Sequence, residues 1–513
     1  MAEGRSWLPA KSPPRLLPTQ PPLNDRPFLH SRQVMTTRAQ FTLPEILYRI
    51  GDLADSSSLN CYLVGGYVRD LLMQRPCSDI DIMVIGDPVP FAGTVQRELH
   101  GRNFVLFERF RTAQLELSDP QHGSFKVELV GARKESYNPD SRKPVTLIGT
   151  LDDDLSRRDF TINALAMVLN RDGRNDIIDH FNGLDDLRSG ILKTPLDPEQ
   201  TFSDDPLRMM RAARFAAQLD FKLLPDVLAA MKSMHERIRI VSIERVSHEF
   251  FKIMQASRPS VGLIILYETG LLHEILPDVA AMAGIEQVDG MGHKDTLFHT
   301  FQVIDNLAAH SDNLWLRVAA LLHDIAKPAT KRFCKSAGWS FHGHDAVGVR
   351  IVGKIFRQMR WPLDPLDYVQ KMVRLHHRPI PLSKEEISDS AIRRLMFDAG
   401  EDLQDLMNLC RADVTSKNPR KVIQIMSNFN NVEKKIAEVG EKDLLARWRP
   451  PISGEDIMET LGLGEGRVVG MIKKKMENAV IDGLIPYDRE AALAYIKEIF
   501  RELSDTDNAS GSK

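Results

Sequence analysis

An apolar pair that runs into two glycines constrains this chain more than any other feature. Leu63 and Val64 precede Gly65 and Gly66, and glycine adopts backbone angles that other residues avoid, so it lets a phosphate approach the main chain closely. A helix is predicted to begin near Tyr67, where its free N–H groups would face that phosphate. The pattern therefore predicts a strand, a tight turn and a helix, with an anion site at the turn.

Two aspartates follow on a second predicted strand. Residues 79–85 read as a strand, and its period of two points Asp79 and Asp81 to the same face. Mg²⁺ typically binds one or two carboxylates together with substrate phosphates. Taken singly, the glycine pair is typical of ordinary turns and the aspartates of a solvated edge strand. In this order and spacing, they predict nucleotidyl transfer.

The motif LVGGYVRD…SDIDIMV resembles the head-domain signature of the class II tRNA nucleotidyltransferases, the CCA-adding enzymes, and of their bacterial poly(A) polymerase relatives. Two later blocks, LSRRDFTINA at 155–164 and SDDPLR at 203–208, continue the resemblance. In the family, the first block contacts the ribose and triphosphate of the nucleotide, and the second presents an Asp and an Arg to the base of CTP or ATP. The resemblance implies these nucleotide-binding residues: Gly65, Gly66, Arg69, Asp70, Arg158, Asp159, Asn163, Asp205 and Arg208.

The Asp205–Arg208 pair suits base selection on chemical grounds. Arginine only donates hydrogen bonds and aspartate only accepts them, so the pair can complement a Watson–Crick edge that has both kinds of group. Cytosine and adenine share an exocyclic amine beside a ring acceptor, which one such pair can satisfy. The alternative is an ordinary ion pair at i, i+3 on a helix face.

The chain departs from the family pattern at two positions. Asp204 stands where the family usually has Glu, and Arg111 stands in FRTA where many relatives read FGTA. In the family, this second segment is a flexible loop that helps to switch between C and A addition. Arg111 is expected to stiffen that loop and to add a cation.

A third carboxylate is predicted beside the two aspartates. Residues 126–130 alternate as a strand, and Glu128 is the candidate for the acid that deprotonates or orients the 3′-hydroxyl of the RNA. Asp79, Asp81 and Glu128 are thus the predicted catalytic residues. An exposed strand glutamate is the alternative interpretation of Glu128.

A second group of metal-binding residue types lies in the middle of the chain. His323 and Asp324 end an apolar helical segment, with further His and Asp residues before and after them. Imidazoles and carboxylates in this number can hold one or two divalent metals. The order resembles the HD-domain phosphohydrolases, which implies the ligands His299, His323, Asp324, His344, His376 and Asp413. His342 and His377 are either ligands or neighbours.

Length and composition set the frame. A chain of 513 residues accommodates three or four domains, and a net charge of −3 requires any RNA site to be a local basic surface. Four scattered cysteines without CxxC favour a reducing, cytoplasmic compartment. The sequence has no run of 18 apolar residues, so no membrane span is predicted.

The predicted fold class is α+β. A small mixed α/β nucleotidyltransferase head, resembling that of DNA polymerase β, precedes a mostly helical remainder. The predicted divisions are a disordered, proline-rich extension at 1–40, the head at 41–170, a helical neck and body at 171–290, the HD domain at 291–415 and a helical, tRNA-contacting tail at 416–513.

Together these features predict a template-independent nucleotidyltransferase. It would add C, C and then A to the 3′ end of tRNA from CTP and ATP, with Mg²⁺ in the head and a divalent metal of unknown identity in the HD domain. Poly(A) polymerase and a CC-only or A-only enzyme remain alternatives. A third alternative is an HD phosphohydrolase with a nucleotide-binding head.

Overall fold

The computed structural model describes residues 35–38, 42–107, 111–138, 141–284, 287–288, 291–292, 295–336, 338–382, 388–416, 418–443 and 450–510. The chain forms two compact units that divide after Ala280. Within the segment predicted to be disordered, residues 35–38 form a strand; the remainder of 1–40 lies outside the described residues. The ordered head thus begins before residue 41, because this short strand gains backbone hydrogen bonds from a distant partner that local composition does not reveal.

The head contains most of the strands. In chain order its elements are β1 (Met35–Arg38), α1 (Glu45–Ser56), β2 (Cys61–Val64), α2 (Gly66–Leu72), β3 (Asp79–Val84), α3 (Pro88–Glu98), β4 (Arg102–Phe107), β5 (Thr112–Asp119), β6 (Gly123–Gly131), β7 (Arg133–Asn138), β8 (Ser141–Ile148), α4 (Leu151–Ser156), β9 (Leu165–Val168) and β10 (Asp176–Asp179). The glycine turn, the helix beginning beside Tyr67 and the strand carrying both aspartates are therefore confirmed.

Eight of these strands form one sheet in the order β1-β10-β9-β2-β3-β6-β5-β4. β3 pairs with β6 in parallel, in a register that sets Asp81 beside Glu128. Ile80 and Ile82 are buried in a core shared with α1 and α3. Because alternate residues of a strand face opposite sides, this burial turns Asp79 and Asp81 to the other face.

Helices dominate the rest of the first unit. They are α5 (Gly183–Ser189), α6 (Pro198–Asp204), α7 (Leu207–Leu219), α8 (Pro225–Met234), α9 (Ile243–Met254), α10 (Pro259–Glu268), α11 (Leu271–Ile275) and α12 (Pro277–Ala280), with the short strands β11 (Ile191–Leu192) and β12 (Lys222–Leu223). α7 packs against α9 and α10, and most of its side chains are buried. This packing fixes the faces of α7 and α9 that carry polar residues.

The second unit is also mainly helical. Its first part comprises β13 (Gln287–Val288), β14 (Met291–Gly292), α13 (Thr296–Ala308), α14 (Leu314–Leu322), α15 (Lys327–Thr330), β15 (Arg332–Cys334), β16 (Gly338–Ser340), α16 (His344–Gln358), α17 (Leu366–Leu375), α18 (Pro379–Leu382), α19 (Asp389–Ala399) and α20 (Leu403–Ala412). The remaining helices are α21 (Pro419–Asp443), α22 (Gly454–Leu461), α23 (Arg467–Ile481) and α24 (Arg489–Ser510). The last three share a separate apolar core. The α+β class, with a sheet in the head and helices beyond it, is confirmed.

Candidate active site and metal centre

A cleft of about 1110 Å³ in the first unit brings together every residue predicted for catalysis and nucleotide binding in the head and neck. These are Gly65, Gly66, Arg69, Asp70, Asp79, Asp81, Glu128, Arg158, Asp159, Asn163, Asp205 and Arg208. They come from strands, turns and helices spread over more than 140 positions of sequence. A cleft of this size accommodates a nucleotide with further space for a second substrate.

Three carboxylates meet on the face of the sheet that lines the cleft. Asp79 and Asp81 stand on β3, and Glu128 lies beside Asp81 on β6. Burial and the charge of Asp79 raise the pKa of Asp81, although Arg158 opposes them. Burial and Asp81 likewise raise the pKa of Glu128. Carboxylates that repel one another in this way suit a divalent cation, which would neutralise their shared charge, so the residues present fit Mg²⁺.

The turn before α2 brings the main chain close to this acidic group. Gly65 has φ of +73°, and a Cβ there would lie 2.7 Å from Nη1 of Arg158 and 3.5 Å from Oδ2 of Asp81. Glycine is thus required both by the backbone angle and by the approach of Arg158. Gly65 and Gly66 line the same cleft as the carboxylates, so an anion bound at this turn would face the start of α2.

Replacing Gly65 by alanine is expected to lower the free energy of unfolding by about 1–2 kcal/mol, the cost of a Cβ in a left-handed conformation, and to raise KM for the nucleotide because Arg158 must move. Gly66→Ala is the matched control for stability, since the added Cβ meets its nearest neighbour, Nη2 of Arg69, at 3.6 Å. Thermal melts and initial-rate kinetics would measure both effects. Equal stability of the two variants would contradict this account.

A buried aspartate that the sequence did not single out holds both arginines of the RRD block. The carboxylate of Asp154 is fully buried. Its Oδ1 accepts a hydrogen bond from Nε of Arg157 at 3.0 Å, and its Oδ2 accepts one from Nη2 of Arg158 at 2.9 Å. Burial alone would raise the pKa of Asp154, but the two arginines lower it. The guanidinium groups are therefore fixed in place before any substrate binds.

A chain of polar contacts links the head to α7. Arg69 donates from Nη1 to Oδ1 of Asn163 at 2.8 Å, and Asn163 donates from Nδ2 to Oδ1 of Asp159 at 2.9 Å. Arg211, another residue not predicted from the sequence, pairs with Asp159. Burial would raise the pKa of Asp159, but Arg211 and Asn163 hold it well below its usual range. Arg69 also pairs with Asp70 at 2.8 Å.

The base-reading candidates do not form the helical ion pair that spacing alone allows. Asp205 lies in extended conformation between α6 and α7, and its Oδ2 lies 3.3 Å from Nη2 of Arg245 on α9. Arg208 donates to the carbonyl oxygens of Thr201 and Arg157. The carboxylate and the guanidinium are thus held separately, which leaves them as two groups that line the cleft.

Arg111 occupies a position where glycine is favoured. Its φ is +47°, which explains why a glycine suits this position. Nη2 of Arg111 lies 3.0 Å from Oδ2 of Asp87, and both side chains are about half exposed. Phe110 lies outside the described residues. The ion pair joins this end of the segment to the start of α3, and the stiffening expected from the sequence stays a prediction.

The second unit gathers the predicted HD ligands into two adjoining groups. His299, His323 and Asp413 form one, and His344 and His376 join Asp324 in the other. Oδ2 of Asp324 lies 3.2 Å from Nε2 of His323, whereas Oδ1 lies 3.6 Å from Nε2 of His344. Asp324 therefore stands between the groups with one oxygen toward each.

Hydrogen bonds to the main chain orient the imidazoles. Nδ1 of His323 donates to the carbonyl of Ala320 at 2.7 Å, and Nδ1 of His376 donates to that of Val373 at 2.7 Å. His344 donates in the same way to Phe341 at 2.8 Å. Such contacts fix the tautomer and leave Nε2 free to bind a metal.

Buried polar atoms show that this centre fits divalent cations. Among the described residues, Oδ1 of Asp324 is buried without a hydrogen-bond partner, and Nε2 of His323 has only the 3.2 Å approach of Oδ2 of Asp324, which does not have good hydrogen-bond geometry. Burial would lower the pKa of His323, but Asp324 and Asp413 raise it to about 9. Bound metals would replace that proton and satisfy both atoms.

The structure distinguishes His342 from His377, which the sequence left as either ligands or neighbours. His377 joins the group of Asp324, His344 and His376, and burial together with His376 lowers its pKa to about 4. A neutral imidazole is the form that binds metal. His342 is exposed and is not part of a metal-binding group within the described residues.

Comparison with known proteins agrees with this geometry. Residues 61–193 match the poly A polymerase head domain, 220–282 the probable RNA- and SrmB-binding site of polymerase A, and 296–417 the HD domain. The chain is 31% identical to the CC-adding tRNA nucleotidyltransferase of Thermus thermophilus over 84% of its own length and 92% of that protein. It is 32% identical to the multifunctional CCA protein of Nitrosomonas europaea, over 69% of this chain and 83% of that protein.

Among solved structures, the CCA-adding enzyme of Bacillus stearothermophilus in complex with CTP superposes with a TM-score of 0.60 at 22% identity, covering 90% of this chain and 98% of that one. The fold and the relatives define a nucleotidyltransferase that carries an HD domain. The chain belongs to the family of tRNA nucleotidyltransferases and poly(A) polymerases. Within the described residues, no helix is long and apolar enough to span a membrane.

Proposed function

We propose that this chain adds C, C and then A to the 3′ end of tRNA, using CTP and ATP. The observation that carries the proposal is the single cleft in which three carboxylates, a glycine turn and the Asp205–Arg208 pair converge. One part would hold the metal, one the triphosphate and one the base. Because tRNA is present in the cytoplasm, we infer a cytoplasmic location for this protein.

Each group has a distinct task in the proposed reaction. Mg²⁺ held by Asp79 and Asp81 would lower the pKa of the RNA 3′-hydroxyl and neutralise charge at the reacting phosphate. Glu128 would orient that hydroxyl and accept its proton. Gly65, Gly66 and Arg158 would hold the triphosphate, with Arg69 and Asp70 bracing the turn. Asp159 and Asn163 would then place the ribose.

Base selection would rest on Asp205 and Arg208. The carboxylate accepts from the exocyclic amine of cytosine or adenine, and the guanidinium donates to the adjacent ring nitrogen. Uracil and guanine present a carbonyl where the amine should be, which leaves Asp205 facing another acceptor. A missing hydrogen bond of this kind in a buried site costs about 1–3 kcal/mol, which favours C and A over U and G by about 5- to 150-fold.

Two narrower activities use the same chemistry. Poly(A) addition would need the cleft to reject CTP, and nothing in the Asp205–Arg208 pair favours A over C. A CC-only activity, like that named for the Thermus relative, would follow if the Arg111–Asp87 ion pair prevents the change from C to A. The full CCA sequence is favoured because the same donor and acceptor pair suits both bases.

Single-nucleotide incorporation tests the proposal directly. tRNA transcripts that end before CCA, after the first C and after the second C are each incubated with one labelled nucleotide and Mg²⁺. We expect C on the first two transcripts and A on the third, with U and G at least about fivefold slower. Incorporation of A on all three would favour poly(A) polymerase, and no A on the third would favour CC addition.

We also propose a metal-dependent phosphoester hydrolase activity for the HD domain. Asp324 bridges two groups of metal-binding residues, His299, His323 and Asp413 on one side and His344, His376 and His377 on the other. Two divalent ions at such a bridge would activate water toward a phosphoester. The relative named a multifunctional CCA protein is compatible with a second activity in the same chain.

A further inference from the structure

The imidazoles of the HD centre are oriented in two different ways. In three of them, Nδ1 forms a hydrogen bond with a main-chain carbonyl three residues earlier in the chain; these are His323, His344 and His376. His299 differs, because its Nδ1 lies 2.8 Å from the hydroxyl oxygen of Thr415, which is 116 positions away in sequence. A side chain therefore orients His299, whereas the main chain orients the other three.

The position of His299 in its helix explains this difference. His323 and His376 directly follow α14 and α17, and the last carbonyls of a helix lack partners in a following turn, so they are available to a ring nitrogen. His299 lies within the first four residues of α13, which begins at Thr296. The carbonyls there accept from the N–H groups of the next turn. The imidazole of His299 thus takes its hydrogen-bond partner from another segment.

The two nitrogens of the His299 ring contact the same short segment. Nε2 lies 2.8 Å from Oδ1 of Asp413, and Asp413 and Thr415 are two positions apart, directly after α20. A second contact between the same helices lies about two turns further along α13, where buried Asn306 donates from Nδ2 to the carbonyl of Ala412 at 2.9 Å. The ring is therefore held at both nitrogens between two segments that are themselves joined.

The hydroxyl of Thr415 bears on which ring nitrogen of His299 carries the hydrogen. A neutral imidazole has one N–H group and one nitrogen that accepts, and a metal binds to the nitrogen without hydrogen. When Thr415 accepts the hydrogen bond from Nδ1–H, Nε2 is left free and directed toward Asp413. We propose that Thr415 is a positioning residue for the group of His299, His323 and Asp413, and that its hydroxyl prepares His299 to bind a divalent cation. The inference rests on the metal centre proposed for the HD domain.

Metal titration of the full-length chain tests the role of Thr415. Protein freed of metal by chelation is titrated with Co²⁺, and binding is followed by visible absorption and by calorimetry. In Thr415→Val, which keeps the branched shape but loses the hydroxyl, one of the two Co²⁺ equivalents should bind about 10–100-fold more weakly, the usual effect of losing a residue that hydrogen-bonds to a metal ligand. The other equivalent, bound by the group of His344 and His376, should keep its affinity. Thr415→Ser retains the hydroxyl and should retain most of the wild-type affinity.

Two further variants make the titration specific to the HD centre. All proteins also carry Asp81→Asn, so that the head carboxylates bind less metal. His323→Ala in the same background gives the Co²⁺ bound outside the HD centre, which is subtracted. Thr269→Val is the matched control: Oγ1 of Thr269 donates to the carbonyl of Ile265 at 2.7 Å in the first unit, which contains none of the predicted HD ligands. It should leave both Co²⁺ affinities unchanged.

Three results would overturn the proposal. Unchanged Co²⁺ affinity in Thr415→Val would show that the hydroxyl does not act on the metal. Equal weakening of both equivalents would indicate a general disturbance of the domain rather than positioning of His299. Equal weakening by Thr415→Ser and Thr415→Val would show that the hydroxyl is not the group responsible.

The titration also separates the role of Thr415 from the proposed hydrolase. Because Co²⁺ binding is measured without substrate, one weakened equivalent in Thr415→Val supports the role of Thr415 even if the wild-type chain hydrolyses no phosphoester. Hydrolysis by the wild type together with unchanged Co²⁺ affinity in Thr415→Val would support the hydrolase and contradict the role of Thr415. A protein with an intact HD centre that binds no more Co²⁺ than His323→Ala would contradict both.

Discussion

Replacing Asp81 by asparagine is expected to abolish nucleotide addition while making the metal-free protein more stable at neutral pH. The amide keeps the shape of the side chain but removes a charge that Mg²⁺ would need. Loss of a residue that hydrogen-bonds to a metal ligand already lowers metal affinity or activity about 10–100-fold. Loss of a direct ligand should therefore lower kcat by more than about 100-fold. Single-turnover addition of labelled CTP would measure this.

The stability change follows from the raised pKa of Asp81. Burial favours the protonated carboxyl in the folded protein, so the stabilising contribution is present below the ordinary carboxyl pKa and is lost as pH rises through the higher folded value. At pH 7 the wild-type protein therefore carries an unfavourable buried charge, which Asp81→Asn removes. Thermal melts without metal should show a higher Tm for the variant at pH 7 and no gain below about pH 4.

Mg²⁺ should reverse the order of the two Tm values. It stabilises the wild-type protein by binding the folded state, and the variant has one carboxylate fewer to bind it. Asp185→Asn is the control: Asp185 is an exposed aspartate at the start of α5, and its amide should change neither activity nor the response to Mg²⁺. Normal addition by Asp81→Asn would show that this carboxylate is not a metal ligand.

His323→Ala is expected to empty the HD centre while leaving nucleotide addition largely intact. His323 is almost completely buried, and its Nε2 faces Asp324 and Asp413. Losing this imidazole should lower bound metal, measured by elemental analysis, to less than about a tenth of the wild-type level. Hydrolysis of p-nitrophenyl phosphate or its diester should fall with it.

His342→Ala provides the matched control, because His342 is exposed and lies outside the metal-binding groups. It should keep both metal and hydrolysis. Because His323 is buried, Asp413→Asn serves as a second, less disruptive variant that should also lose metal. Wild-type metal content in both His323→Ala and Asp413→Asn would refute the ligand assignment. A parallel loss of nucleotide addition would mean that the two activities are not independent.

The sequence predicted those parts of the site that local pattern determines. The alternation of apolar and acidic residues from 79 onward was enough to predict β3 and the common direction of Asp79 and Asp81. The glycine pair likewise predicted the turn before α2. Glu128 could be chosen because the strand around it also alternates. In each case the period of the strand decides which face a side chain takes.

Contacts between distant segments could not be predicted in this way. Asp154 pairs with both Arg157 and Arg158 because one side of α4, with Asp154 and Leu155, is buried, and a run of three aspartates at 152–154 was the one visible signal. Arg245 approaches Asp205 across 40 positions of sequence because α7 and α9 pack together. In the sequence, the polar residues of α9 form an ordinary amphipathic pattern. Only the folded structure shows that they line the cleft. The place of His377 in the metal centre likewise depends on contacts between distant segments.

The most direct test of the central claim is the 3′-end sequence of tRNA extended by the purified chain. A tRNA transcript that lacks its last three nucleotides is incubated with Mg²⁺ and all four nucleoside triphosphates, and the products are sequenced. We expect CCA on nearly every extended molecule, with no further addition. Long A tails, ends that stop at CC, or untouched transcripts would each contradict the proposal that this cleft selects C, C and then A.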